Sequence, residues 1–132
     1  MHAESPQYVP GVCNIGKAEI RQRRILGLIG LATTVLGGLA LILTGVEQCW
    51  RLLLFFPATL AATGYLQAAW HFCAKFGFGG VFNFGPNVGQ TDTVEQAEFR
   101  RQDRKTALQI VGLSILAGAV VAGVAYVLPW GR

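Results

Sequence analysis

The sequence predicts an all-α integral membrane protein with three transmembrane helices. Hydrophobic residues make up 52% of the 132-residue chain and charged residues only 14%, too few for the surface of an ordinary soluble domain. Three apolar stretches reach the roughly 20 residues that a helix needs to cross the hydrocarbon layer. They are Ile25 to Thr44, Leu52 to Phe72 and Ala107 to Trp130. We therefore expect a tail over residues 1–12 and a single membrane domain over residues 13–132.

The distribution of lysine and arginine predicts the orientation of these helices. Basic residues precede helix one, follow helix two and precede helix three, whereas Arg51 and Arg132 lie at the other ends. The residues at these three places are Lys17, Arg21, Arg23 and Arg24 before helix one, Lys75 after helix two, and Arg100, Arg101, Arg104 and Lys105 before helix three. Because basic loops stay on the cytoplasmic side, we expect the N-terminus in the cytoplasm and the C-terminus outside. A bacterial inner membrane is the expected location.

The net charge of +4 does not indicate a nucleic-acid partner. Four acidic residues, Asp92, Glu95, Glu98 and Asp103, are interspersed with the basic residues before helix three. This mixture is typical of a solvated helix face with pairs at i,i+3 and i,i+4. Membrane lipid is the expected partner.

A polar, basic stretch over residues 12–24 leads into helix one, expected at about 17–44. Asn14 is expected to cap this helix, and Glu19 lies in the first turns, where the helix dipole favours an anion. The apolar run from Ile25 is about twice the length of a signal-peptide core, so helix one is expected to be retained. The tail before it, with Pro6 and Pro10, is expected to be extended or poorly ordered.

Helix two is expected at about 50–74, antiparallel to helix one, because only the short turn from Gly45 to Arg51 joins them. Pro57 predicts either a kink or a displaced helix start. Arg51 is expected to snorkel to the outer interface.

Small residues spaced by four predict close helix packing in lipid. They are Gly30, Thr34 and Gly38 on helix one, and Ser114, Gly118 and Ala122 on helix three, where Ala119 and Gly123 repeat the spacing. For helix one, packing against the protein's own helices is favoured over a ligand groove. Helix three has more small residues than a hairpin partner needs. A homo-oligomer or an accessory subunit of a larger membrane complex is therefore expected.

Residues 75–91 are expected to form a Phe/Gly-rich cytoplasmic loop. In an extended stretch Phe76, Phe78, Phe82 and Phe84 would share one face, at the membrane interface or over the bundle. Helix three is expected at about 93–128, since Asp92-x-x-Glu95 and Thr93-x-x-Gln96 resemble capping boxes. It exceeds the thickness of the hydrocarbon core, so its first turns are expected to project into the cytoplasm.

His71 is the one histidine within an apolar run. A neutral imidazole could be an axial ligand to haem or a pigment, but without a second such histidine an interfacial hydrogen-bonding role is favoured. Bound lipid is the other candidate cofactor. No metal site is predicted from Cys13, Cys49 and Cys73, which lack C-x-x-C spacing.

Cys13 and Cys73 are both expected at the cytoplasmic face, close together if the hairpin is closed, with Cys49 on the opposite side. Neighbouring basic groups favour a reactive thiolate, which raises a redox or sulfur-transfer hypothesis. Buried, inert cysteines are the favoured alternative. The candidate cytoplasmic-face cluster comprises Cys13, Asn14, Glu19, Arg23, His71 and Cys73.

Residues 13–85 resemble the YgaP-like inner-membrane domain family, a bacterial two-helix module. The resemblance is carried by Asn14-Ile15-Gly16, Glu19, Arg23 and Gly27, with Pro57, Gly64 and Cys73 further on. The chain departs from the family pattern in three respects. Glu19 stands where the family usually has Asp, Ala74 stands where the family has Pro, and helix three has no counterpart in the family. Some members are joined to sulfur-handling rhodanese domains, so the resemblance implies the same thiol hypothesis.

The sequence contains no complete catalytic constellation. A non-enzymatic membrane protein that assembles through its small-residue faces is favoured. The thiol hypothesis is the main alternative. A small-solute pore or transporter subunit is weaker, because only Thr34, Pro57, Thr59 and Thr63 offer a helix breaker or polar groups near the midplane.

Overall fold

The computed structural model describes residues 7–129, most of which are helical. The helices are α1 (Lys17–Thr44), a 3-10 helix (Gln48–Leu54), α2 (Phe55–Trp70), α3 (Ala74–Gly79) and α4 (Ala97–Val127), and the strands are β1 (Val81–Phe82) and β2 (Asp92–Thr93). Among these residues, three segments are long and apolar enough to cross a membrane: α1, the continuous stretch Gln48–Trp70, and α4. The expectations for Pro6, Trp130 and Arg132 fall outside the described residues.

The helix α2 lies against both α1 and α4. At the α1–α2 contact the two backbones touch: a Cβ placed on Gly64 would lie 2.6 Å from the Cα of Gly27, and one on Gly30 would lie 2.8 Å from the Cα of Ala61. Gly38 borders Leu54 of the 3-10 helix. The structure therefore places Gly30 and Gly38 of this face of α1 against the protein's own helices.

The helix α4 uses one of its two small-residue faces against α2. Ser114, Gly118 and Ala122 are buried, and a Cβ on Gly118 would lie 2.9 Å from the carbonyl oxygen of Phe55. Gly123, in contrast, has no described atom from outside its own stretch of helix within 4 Å of a Cβ placed on it. The second face is therefore left open by residues 7–129.

The second span begins differently from the expected single helix. The residues up to Leu54 form a 3-10 helix, and Pro57 occupies the third position of α2. A backbone N–H at that position has no partner within the helix, so proline is accommodated there. This confirms the displaced start. The helix ends at Trp70, four residues earlier than expected, where His71 adopts a left-handed conformation with φ 54°.

The segment before α4 departs most from expectation. Residues 74–79 form the helix α3, so the four phenylalanines do not share one extended stretch: Phe76 is buried and Phe78 is 46% exposed. Asp92 and Thr93 pair with β1 as a strand. Because these residues serve the β pairing, neither capping box forms, and α4 starts at Ala97.

The described part of the tail packs on α4, contrary to the expected poor order. Tyr8 donates a hydrogen bond of 2.7 Å to one carboxylate oxygen of Asp103, and the Gly11 N–H donates one of 2.7 Å to the other. Thr106 donates to the Gly11 carbonyl. Asp103 is fully buried, so its expected place on a solvated face is wrong. We call this side of the molecule, residues 7–24 and 71–106, the polar end.

The Tyr8–Asp103 contact predicts a loss of stability at high pH. Burial of the hydroxyl, followed by its hydrogen bond to Asp103 and the charge of that group, raises the pKa of Tyr8 above its ordinary value of 10.0. The neutral hydroxyl is therefore favoured in the folded state. Its contribution is complete below pH 10 and is lost as the pH rises beyond that value.

Tyr8→Phe is expected to lower stability by about 1 kcal/mol at pH 8 and to flatten the decline above pH 10. Thermal unfolding between pH 8 and 11 measures both effects, with the exposed residue Tyr126→Phe as the control. Identical pH profiles for Tyr8→Phe and the parent protein would contradict the assignment.

Candidate functional site

The polar end contains a buried ion pair within the first turns of α1. Glu19 is 1% exposed and Arg23 8% exposed, and their charged atoms lie 3.0 Å apart. The guanidinium of Arg23 also donates to the side chain of Gln22 (2.6 Å) and to the Sγ atom of Cys73 (2.9 Å). It lies 5.7 Å from the ring centre of Phe76, within the range of a cation–π contact. The arginine is therefore fixed by groups from α1 and from the segment after α2.

The second carboxylate oxygen of Glu19 holds the loop between the two strands. It accepts hydrogen bonds from the side-chain amide of Asn83 (2.8 Å) and from the Gly89 N–H (2.7 Å). Asn83 is 2% exposed and its Oδ1 accepts the Gly85 N–H. Sequence analysis missed Asn83. The one available indication was a polar residue that interrupts a run of phenylalanine and glycine.

Asn14 joins three segments of the chain instead of capping α1. Its side chain forms two hydrogen bonds with the backbone of Cys73, donating to the carbonyl (3.1 Å) and accepting from the N–H (2.6 Å). Its own N–H donates to the His71 carbonyl, and its carbonyl accepts the Asn83 N–H. Gly16 holds the N-cap position of α1, without a side-chain cap from any described residue. The predicted cap is wrong, but Asn14 does lie in the cluster.

The structure thus brings together four of the six predicted cluster residues: Asn14, Glu19, Arg23 and Cys73. His71 contributes only its backbone, and its side chain is exposed at the end of α2. Residues 7–129 contain no group of three or more His, Cys, Asp or Glu side chains arranged to hold a metal ion.

The two cysteines of the polar end have different environments. Cys73 is buried and accepts from Arg23, whereas Cys13 is half-buried and its Sγ atom lies 3.8 Å from the Ile15 carbonyl. Burial raises the pKa of Cys13. Both thiols are free, as is that of the exposed Cys49.

A cavity of about 510 Å³ lies beside the ion pair, between α1, α2 and the segment that follows α2. Its polar wall includes Arg23, Gln67 and Lys75, and its apolar wall includes Leu26 and Leu60. Gln67 is buried and accepts the Ala74 N–H (2.8 Å), which fixes the turn between α2 and α3. Sequence analysis missed Gln67 because a lone glutamine in a helix has no distinguishing pattern.

At the opposite end of the molecule, the side chain of Arg51 caps the C-terminus of α4. It is 3% exposed and donates to the carbonyls of Ala125 (3.1 Å) and Leu128 (2.6 Å). A guanidinium is favourable at this place because the last carbonyls of a helix carry partial negative charge. The expected snorkelling of Arg51 into the interface is therefore wrong.

No family model, curated protein or solved structure matched the chain. The cluster combines one carboxylate, one guanidinium, one thiol and several amides, and most of their hydrogen bonds join segments of the chain to one another.

Proposed function

We propose that this chain is a non-enzymatic integral membrane protein that assembles with copies of itself or with other membrane subunits. The main observation is that α4 has one packed face and one open face. Gly118 contacts α2, whereas an added Cβ on Gly112 or Gly123 would have no described atom from outside the same stretch of helix within 4 Å. With 100° of rotation per residue, Gly112, Ala119 and Gly123 lie on one side of α4. Such a face permits close approach by another helix in lipid.

Two further features support a membrane location. Large apolar side chains are exposed along all three spans, for example Leu36 (66%), Phe56 (66%) and Val127 (68%), and hydrocarbon is the solvent that suits them. Basic residues concentrate at the polar end, which supports a cytoplasmic N-terminus. In this orientation the first turns of α4 stand in the cytoplasm, and a bacterial inner membrane is the proposed location.

Bulky side chains on the open face of α4 test the assembly. Gly112→Leu/Gly123→Leu is expected to shift an oligomer to the monomer, because both side chains would block close approach of a partner helix. Native mass spectrometry in a mild detergent measures the mass. Ala40→Leu, on an exposed face of α1, is the matched control and should keep the parent mass. A parent protein that is monomeric and co-purifies with no other subunit would refute the proposal.

A thiol function is the second candidate, and the 2.9 Å contact between Arg23 and the Sγ atom of Cys73 favours it. The sequence resemblance of residues 13–85 to the YgaP-like family, some of whose members are joined to rhodanese domains, raises the same candidate, although no family model matched the chain. Cys73 also borders the cavity, through which a small reagent could approach.

Alkylation rates separate the two candidates. For a non-enzymatic protein we expect Cys49 to react fastest and the buried Cys73 slowest, with Cys13 in between because burial raises its pKa. Mass spectrometry after timed treatment with a small neutral maleimide at pH 7.5 gives the three rates. Modification of Cys73 as fast as that of Cys49 would favour the thiol function instead.

A further inference from the structure

We propose that the cavity beside Arg23 binds an acidic phospholipid through the phosphate of its headgroup. The inference rests on the proposed membrane location and adds a ligand to it. The cavity, about 510 Å³ in volume, is polar where it meets Arg23, Gln22 and Lys75 and apolar where it meets Leu26 and Leu60. A ligand with an anionic end and a hydrocarbon end fits both walls.

The charges around the cavity favour an anion. Among residues 7–129, Glu19 is the one carboxylate in its wall, and its charge is already met by Arg23, by Asn83 and by the Gly89 N–H. Lys75 is exposed, and its ammonium group has no hydrogen-bond or ion-pair partner among residues 7–129. The wall therefore carries two cations against one anion. A phosphate near Arg23 would give Lys75 a partner.

The position of the cavity along α1 favours a lipid over a free anion. Arg24 is the last charged residue before the uncharged run that begins at Ile25, so Arg23 and Leu26 lie on either side of the boundary between polar and apolar sequence. Leu26 is 36% exposed and Leu60 41% exposed, on the surfaces of α1 and α2 that would face hydrocarbon. A lipid could place its phosphate at Arg23 and an acyl chain along these two leucines. A free phosphate would use the polar wall alone.

Lys75→Gln tests the polar wall without threatening the fold, since the side chain is exposed and unpaired within the described residues. We expect the variant to bind dioleoylphosphatidylglycerol about fivefold more weakly in native mass spectrometry, as one basic group near an anionic lipid contributes on the order of 1 kcal/mol. Lys105→Gln, an exposed site on α4 away from the cavity, makes the same charge change and should bind like the parent. Dioleoylphosphatidylcholine, with the same chains, should bind more weakly than the anionic lipid.

Leu26→Trp tests the apolar wall, with Leu36→Trp as the control on a part of α1 outside the cavity. The first variant should weaken lipid binding and the second should not. Equal losses of lipid affinity for Lys75→Gln and Lys105→Gln would reject the site, because they would show that the anionic lipid is attracted to the basic surface in general. A different contrary result is that inorganic phosphate binds saturably, competes with the lipid and is unaffected by Leu26→Trp. That result would reject a lipid ligand in favour of a small anion. Release of the protein from membranes by alkaline carbonate without detergent would instead reject the membrane location itself.

Discussion

Arg23→Ala is expected to destabilise the protein by about 3–5 kcal/mol, because it leaves the carboxylate of Glu19 buried without its cationic partner. Glu19 is 1% exposed and would retain the side-chain amide of Asn83 and the Gly89 N–H as donors. The same substitution removes the hydrogen bond to Cys73 and the contact with the ring of Phe76. Thermal or denaturant unfolding of the purified protein in detergent measures the change.

Two variants give this experiment its controls. Arg21→Ala removes the same type of side chain from an exposed position of α1 and should change stability by less than about 0.5 kcal/mol. Glu19→Gln/Arg23→Met removes both charges and should recover much of the loss, because no charge is left buried without its partner and the Gln carbonyl oxygen can still accept from Asn83 and the Gly89 N–H. Equal effects of Arg21→Ala and Arg23→Ala would show that the ion pair contributes little to the fold.

The three spans could be predicted because hydropathy is a property of local composition. A stretch of about 20 apolar residues has few stable structures other than a membrane-spanning helix. The packing of Gly30 was also predictable, since small residues spaced by four on a helix lie on one side whatever the rest of the chain does. The gathering of Glu19 and Cys73 at one end followed from the antiparallel order of the first two helices.

The residues that sequence analysis misplaced depend on partners far away in the chain. Asp103 resembles any acidic residue in a charged helix, and its burial requires Tyr8, which lies 95 residues earlier. By its local sequence Arg51 resembles an interfacial anchor, and its burial depends on contact with the C-terminal end of α4. In both cases the local pattern describes the side chain correctly, while its exposure is decided by tertiary contacts that no local pattern contains.

At the polar end, the local sequence pattern also failed to predict the secondary structure. Glycine and phenylalanine in alternation suggested an extended segment over residues 76–84, yet residues 74–79 are helical. This short helix packs on α4, where a Cβ on Gly77 would lie 2.9 Å from the Asp103 carbonyl oxygen. Close approach to α4, instead of extended geometry, accounts for glycine at that position.

Gly64→Leu is expected to have the other large effect, a destabilisation of about 3 kcal/mol or more, because it separates α1 from α2. A Cβ at this position would lie 2.6 Å from both the Arg23 carbonyl oxygen and the Cα of Gly27. These are backbone atoms, so no side-chain rotation can relieve the overlap, and the helices must move apart. Gly64→Ala should already lower the unfolding temperature, and the leucine variant should lower it further.

The same substitution at Gly123 separates packing within the chain from packing between chains. No described atom from another part of the chain lies within 4 Å of an added Cβ there, so Gly123→Leu should keep the unfolding temperature of the isolated chain. If assembly uses this face, the variant should lose only the oligomer, whereas Gly64→Leu should lose the folded monomer as well. Equal unfolding temperatures for the two leucine variants would show that the α1–α2 contact is not the close packing assigned to it.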